Sequence, residues 1–593
     1  MYIKIFILGV AFTSAFSFST FAQSGSKNGS GSTAKLVSKT GVDASVQKNP
    51  AYNWFNLDPD QDHAIGISTE KTYTELLKNR KPQRVIVAVI DGGVDTTQED
   101  LAGIIWQNKK EIAKNGIDDD HNGYIDDVHG WDFIGGKNRA DVHFDTQEMT
   151  RIVATLEPVY RDKDPDKLSA SQKAQYDMYL KAKKEYNSSV AKNDEQLAYY
   201  QRLYTFMTDA DAVVKRGMNI KVIDSNALKN YHGTDEKVKS AATVLLRLYQ
   251  YGFKDMESAL AELKSGVDHF QETKNYGLNL TFDPRTIVGD TYTDITQRNY
   301  GNNDVAGPDA LHGTHVSGII GANRMNNLGI KGIANNVFIM PVRAVPDGDE
   351  RDKDIANAIR YATDNGAQII NMSFGKSFSP NKDAVDDAVK YAESKGVLLV
   401  HAAGNESANK DSVVNFPSRV YNDGGMASNW IEVGASGRTN NETLAATFSN
   451  YGKKTVDVFA PGVDILSTVP KPVNYKTESG TSMAAPVITG LAAVLKEYFP
   501  ELTAQDIKTI IMQSAVRYHT MVLKPGSKEL VKFDDLSISG GVANLYQAVK
   551  MATTYKKGSL SIDSILQTLW ITPHNYWATA YVQYINLPKN RIP

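Results

Sequence analysis

The run Val85-Ile86-Val87-Ala88-Val89-Ile90 is unbroken, apolar and β-branched, and it stops at Asp91-Gly92-Gly93-Val94-Asp95. A strand with one wet face would alternate apolar and polar side chains. An unbroken run predicts a strand covered on both faces. Comparable runs recur at 337–343, 368–375, 397–400, 430–433 and 456–460, with amphipathic helices expected at 354–365 and 383–395. Strands alternating with helices predict an α/β domain whose mainly parallel sheet is sandwiched between helical layers. Such open sheets build their sites outside the carboxyl ends of the strands, and Asp91 stands at one of those ends.

A second stretch supplies a partner for that carboxylate. Ser479-Gly480-Thr481-Ser482-Met483-Ala484-Ala485-Pro486 leads into small and apolar residues through Leu495, which predicts a buried helix from about Met483. Pro486 is expected in its first turn, where a missing N–H removes no intrahelical bond. Ser482 then stands at the helix N-terminus, where unpaired N–H groups and the dipole favour developing negative charge. A capping serine on a core helix is the ordinary reading of such a residue. A nucleophile is the other, and it needs a base for its proton and a group to orient that base. The block His312-Gly313-Thr314-His315-Val316-Ser317-Gly318 offers imidazoles on a helix small enough to pack tightly under the sheet. His312 and His315 could instead be a metal pair, but no third ligand is evident beside them.

The blocks V-I-D-G-G-V-D, H-G-T-H-V-S-G and G-T-S-M-A-A-P follow one another in the order Asp, His, Ser. In all three the chain resembles the subtilisin-like serine proteases, the subtilases. The resemblance implies a three-layer subtilisin-like domain and a serine endopeptidase that works through an acyl-enzyme. It places the catalytic triad on Asp91, His312 and Ser482, and marks His312, not His315, as the base. It assigns Asn405, in Ala402-Ala403-Gly404-Asn405, to the oxyanion hole. It also assigns Ser373, Phe374 and Gly375 to the segment whose backbone pairs with an extended substrate. Main-chain pairing is blind to side chains and residues 401–404 carry no acid, so an apolar or broad cleavage preference is expected.

In compact subtilases the Asp and His blocks are joined by a short connection, whereas here they stand 221 positions apart. Tyr176, Leu180, Tyr186, Val190, Leu197, Tyr200, Leu203 and Met207 fall at helical spacings, and Leu260, Leu263, Val267 and Phe270 repeat the pattern. A helical insertion is therefore expected to split the catalytic domain. Its Tyr-rich stripe is read as the insertion's own core, the alternative being a face for partner docking or substrate gating. Lys4, the apolar 5–18 and Thr20-Phe21-Ala22 read as a secretory signal peptide. The expected organisation is signal peptide 1–22, flexible tail 23–50, catalytic domain 51–139, helical insertion 140–280, catalytic domain 281–550 and a C-terminal extension 551–593 of unassigned role. The space before the Asp91 strand is short for an inhibitory pro-domain of usual size.

In Asp118-Asp119-Asp120-His121-Asn122-Gly123-Tyr124-Ile125-Asp126, oxygen donors recur at Asp118, Asp120 and Asn122. Tyr124 offers a backbone carbonyl and Asp126 a further carboxylate. This is the ligand rhythm of a calcium loop, although His129 occupies the twelfth position where an EF-hand carries Glu. An acidic surface turn is the alternative. Structural calcium is expected as the cofactor, with no organic cofactor. A formal net charge of -3 gives no support for nucleic-acid or anionic-membrane binding. The early apolar run falls short of the roughly 20 residues of a membrane span. Protein or peptide substrates are expected, in a protein that is periplasmic, cell-surface or extracellular. With no Cys in the chain, disulfides and thiol chemistry are excluded.

Overall fold

The computed structural model describes residues 53–250, 253 and 255–555. The segments expected at 1–22 and 23–50, and nearly all of the extension, lie outside the described residues. The described chain divides into two compact units. One comprises 53–143, 285–346 and 350–555, and the other Phe144–Pro284 with Asp347–Asp349.

The first unit is built on strands β1 (Val85–Asp91), β2 (Trp131–Asp132), β3 (Val337–Arg343), β4 (Ile369–Met372), β5 (Leu398–Ala402), β6 (Trp430–Ser436), β7 (Val458–Pro461), β8 (Ile465–Thr468), β9 (Tyr475–Glu478), β10 (Val516–Arg517), β11 (Met521–Leu523), β12 (Leu530–Lys532) and β13 (Gly541–Val542). Nine of them form one sheet in the order β10-β13-β7-β6-β5-β4-β1-β3-β2. Every pairing in it is parallel except β10 with β13. The α/β architecture expected from the sequence is the one observed. Its main helices are α1 (Leu311–Gly321), α2 (Asp352–Asp364), α3 (Lys382–Ser394), α4 (Thr481–Tyr498), α5 (Ala504–Gln513) and α6 (Leu545–Thr554).

Strand periodicity distributes the layers. Val85, Val87 and Val89 join one core with Val316 and Ile320 of α1, Val487 and Leu491 of α4, and Ile507 and Val549 of the last two helices. Ala88 and Ile90 join the opposite core with Ile355 and Ile359 of α2 and Val389 of α3. Asp91 lies two residues beyond Val89, so the same alternation turns it towards α1 and α4. The first turn of α1 comes very close to it. A Cβ on Gly313 would lie 2.2 Å from the Gly93 carbonyl oxygen and 3.1 Å from Asp91 Cβ. Only glycine permits that approach.

Helix α4 departs from expectation at its start. It begins at Thr481 with Gly480 as its cap, so Pro486 lies inside the helix rather than in its first turn. A proline there leaves the carbonyl four residues back, that of Ser482, without its helical donor. The Ser373 hydroxyl supplies one at 3.0 Å. Pro486 thus ties the start of α4 to the end of β4.

The second unit is helical, with helices Glu148–Tyr160, Ala170–Met218, Glu236–Gln250 and Met256–Glu272. The 49-residue helix opens on a capping box of Ser169 and Gln172, and at 1.5 Å per residue it is about 73 Å long. Tyr200, Leu203 and Met207 pack with Leu245, Leu248, Met256 and Leu263 into a core of the unit's own. Leu180 breaks the expected stripe and is 44% exposed. Tyr179, about 100° away around the helix, takes the buried place beside Tyr160.

Candidate active site

Asp91, His312 and Ser482 sit at the carboxyl end of β1 and in the first turns of α1 and α4. Asp91 is buried, and one of its oxygens accepts the Gly92 N–H at 2.8 Å. Both oxygens lie 2.9 Å from His312 Nδ1. That contact places the ring proton on Nδ1 and leaves Nε2 as the basic nitrogen. Burial pulls the His312 pKa down, but the Asp91 charge and hydrogen bond outweigh it, with further help from Glu478 and Asp309. The net shift is above the ordinary 6.5.

His315 is different in every respect. It is fully buried, and its Nε2 donates to the carbonyls of Ile465 at 3.1 Å and Lys476 at 3.0 Å. Burial, with the neighbouring His312, pushes its pKa down to about 3. It is a neutral structural ring. The metal-pair reading fails as well, since the one metal-suited cluster among the described residues contains neither histidine.

The Ser482 hydroxyl donates to the Ser373 carbonyl at 3.0 Å. Among the described residues no hydrogen bond joins it to His312. The reason is local: β4 pairing ends at Met372, which leaves the Ser373 carbonyl free to accept. Asn405 is held by Thr481, whose N–H donates to Asn405 Oδ1 at 2.8 Å and whose hydroxyl does so at 3.0 Å. The same hydroxyl accepts the Gly404 N–H at 3.0 Å. A backbone N–H requires an acceptor, so the amide oxygen faces Thr481 and Nδ2 remains to donate elsewhere. The grip of Thr481 on Asn405, 76 positions away, has no local signal in the sequence. Beyond Ser373, the backbone groups of Phe374 and Gly375 make no hydrogen bond among the described residues, and Gly375 is exposed.

The acidic loop is partly as expected. Asp118 and Asp120 bring carboxylate oxygens within 4.8 Å of each other and of Glu111, a residue the loop rhythm did not single out. Glu111 also accepts the N–H groups of Asp119, Asp120 and Asp126. Asn122 Oδ1 is taken by the Tyr124 N–H. Asp126 does not join the cluster. It adopts a left-handed φ of 54°, and its carboxylate accepts the N–H groups of Asn115 and Gly116. His129 turns to the Trp106 carbonyl at 2.9 Å. Three hard oxygen donors from carboxylates fit a calcium-type cation.

Comparison with known proteins places this geometry. The subtilase family model matches residues 83–545. The chain is 44% identical over 185 residues to a thermophilic serine proteinase of Bacillus sp. (strain AK1), covering 31% of this chain and 42% of that one. It is 36% identical over 206 residues to subtilisin BL of Lederbergia lenta, covering 34% and 70%. It is 32% identical over 250 residues to a cell wall-associated protease of Bacillus subtilis (strain 168), covering 42% and 26%. The matched segments thus span less than half of the first and third of these relatives. The family match runs through β1, α1 and α4, the elements that carry Asp91, His312 and Ser482, and through the parallel sheet that brings them to one end, and on that ground the chain belongs to the subtilase family.

Proposed function

We propose that this protein is an exported serine endopeptidase in which Ser482 attacks the peptide carbonyl, His312 takes its proton and Asp91 holds the imidazole. The observation that carries this reading is the Asp91 carboxylate lying 2.9 Å from His312 Nδ1, in the first turn of a helix packed on the Ser482 helix. Rotation about the serine Cα–Cβ bond moves the hydroxyl from the Ser373 carbonyl to Nε2. Nucleophilic attack forms a tetrahedral intermediate whose oxyanion meets Asn405 Nδ2 and the Ser482 N–H. Collapse expels the amine, protonated by His312, and water then releases the acyl group by the same steps. Phe374 and Gly375 offer the unpaired backbone that an extended substrate can join as an added strand. The test is direct. A fluorophosphonate probe should label the peptide containing Ser482, and the protein should cleave casein; neither happening would sink the reading.

Asn405→Ala should lower kcat by about 10²–10³ with little change in KM, the loss known for such a donor in subtilisin itself. A KM effect alone would assign Asn405 to ground-state binding instead.

Glu111, Asp118 and Asp120 are proposed to hold a structural calcium, which would cross-link the 111–127 loop without entering the chemistry. Chelator should lower Tm by several degrees, and Glu111→Gln should abolish that sensitivity. An unchanged Tm on chelation removes calcium from the reading.

Residues 1–22 are read as an export signal, and 140–280 as a helical insertion into the protease domain with a core of its own. Among the described residues no helix is long and apolar enough to cross a membrane. Fractionation of expressing cells tests the export reading: a wholly cytosolic, uncleaved chain is incompatible with it.

A further inference from the structure

The loop joining β3 to α2 starts at the catalytic carboxylate. The N–H groups of Ala344 and Val345 both donate to the Asp91 backbone carbonyl, at 3.0 and 3.3 Å. The loop ends at the buried Glu350, whose carbonyl accepts Lys376 Nζ at 2.7 Å. Lys376 directly follows Phe374 and Gly375, the backbone proposed to pair with substrate. The loop therefore runs from the Asp91 backbone to the substrate-binding edge.

Between those ends, Asp347–Asp349 belong to the helical unit. The Asp145 N–H donates to the Asp347 carbonyl at 3.0 Å. Gly348 has a φ of 147°, and a Cβ there would lie 2.2 Å from the Asp145 carbonyl oxygen, so only glycine lets the two backbones meet. The helix Glu148–Tyr160 receives no side-chain cap from its own Gln147. Asp349 supplies one instead, its carboxylate accepting the Glu148 N–H at 2.8 Å. Arg151 returns the grip by donating to the Asp349 carbonyl at 3.0 Å, while Glu148 holds its guanidinium at 2.7 Å. A Ser or Asp in place of Gln147 would cap this helix locally. The cap comes from 201 positions away instead, and it fastens the loop to the insertion.

We infer that Arg151 and Asp349 are positioning residues through which the insertion sets the substrate-binding edge. The inference rests on substrate pairing with Phe374 and Gly375. The link is the peptide bond from Asp349 to Glu350: with Asp349 gripped, the next carbonyl stays where Lys376 reaches it. The 374–376 edge is then fixed from two sides, by that carbonyl and by the paired backbone of Phe416. A released loop withdraws the carbonyl and leaves the edge held from one side. An extended peptide must then order the edge as it binds, which lowers its affinity. The chemistry is spared, because Asp91 and His312 are held by β3 and by each other.

The test compares anilides of a six-residue peptide and of its last residue alone, in wild type, R151M, D349A and K376M. Wild type should favour the six-residue substrate at least tenfold in kcat/KM. R151M and D349A should cut that preference at least fivefold, chiefly through KM, while fluorophosphonate labels Ser482 within twofold of the wild-type rate. D349A removes only a cap, and is the arm to rely on if R151M does not fold. K376M should reproduce the loss, since Asp352 keeps the Ser379 hydroxyl and the Asn381 N–H as donors and the fold has little reason to change. D349A/K376M should lose no more than K376M alone, because both act through one carbonyl. A smaller loss in D349A, an equal loss on both substrates, or additive losses in the double variant overturns the inference while leaving the strand pairing in place. A wild type that favours the longer substrate less than tenfold overturns the strand pairing and the inference with it.

Discussion

Ser482→Ala is expected to lower kcat for peptide hydrolysis by about 10⁶, the loss seen when the nucleophile of subtilisin is removed. A residual rate of about 10³–10⁴ over water should survive, because oxyanion donors and substrate binding do not need the hydroxyl. The fold has little reason to change. Ser482 is the second residue of α4, and its carbonyl, which the substitution keeps, is the group that accepts the Ser373 hydroxyl. The Oγ contributes one hydrogen bond to the Ser373 carbonyl, so Tm should move by no more than a few degrees. Measuring kcat, substrate Kd and Tm on the same preparation separates the outcomes. Full hydrolysis in this variant would refute the serine mechanism.

Asp91→Asn should cost about 10⁴ in kcat, because an amide can present its N–H to the ring and favour the wrong tautomer. It should also move the pH profile, and the sign can be derived. His312 must be neutral to accept the serine proton, so kcat/KM rises with pH through its pKa. The Asp91 charge holds that pKa above 6.5 against burial, so the acid limb of the wild type should fall above 6.5. Without the charge, burial and the first turn of α1 both favour the neutral ring, and the limb should shift to lower pH. The same pair couples to folding. Its stabilisation is complete below the unfolded-state pKa of about 6.5 and is lost as pH rises through the higher folded value. Unchanged turnover and an unchanged acid limb in Asp91→Asn would show that the carboxylate neither orients nor charges the imidazole.

Much of this site was legible before any folding was considered. The run at Val85–Ile90 announced a strand buried on both faces, and its period-2 alternation carried Asp91 onto the α1 and α4 side. The stripe through Tyr200, Leu203 and Met207 announced a helix long enough to need a core of its own. The errors share one cause. Pro486 read as a first-turn proline because nothing near it reveals that α4 starts at Thr481 or that Ser373 will satisfy the exposed carbonyl. Spacing likewise does not register the left-handed φ of Asp126, and Glu111 lay outside the loop rhythm altogether.

What the sequence alone determined is whatever depends on period and block: buried strands, amphipathic helices, and which side chains have the chemistry for acyl transfer. Those properties are local, since a residue's backbone preference and its solvent-facing neighbours lie within a few positions. Which atoms face which is set by packing between distant segments. Thr481 orients the Asn405 amide, and the Ser373 carbonyl holds the Ser482 hydroxyl. Each depends on segments tens to hundreds of residues apart meeting within about 3 Å, where a hydrogen bond exists or does not. No pattern along the chain carries that distance.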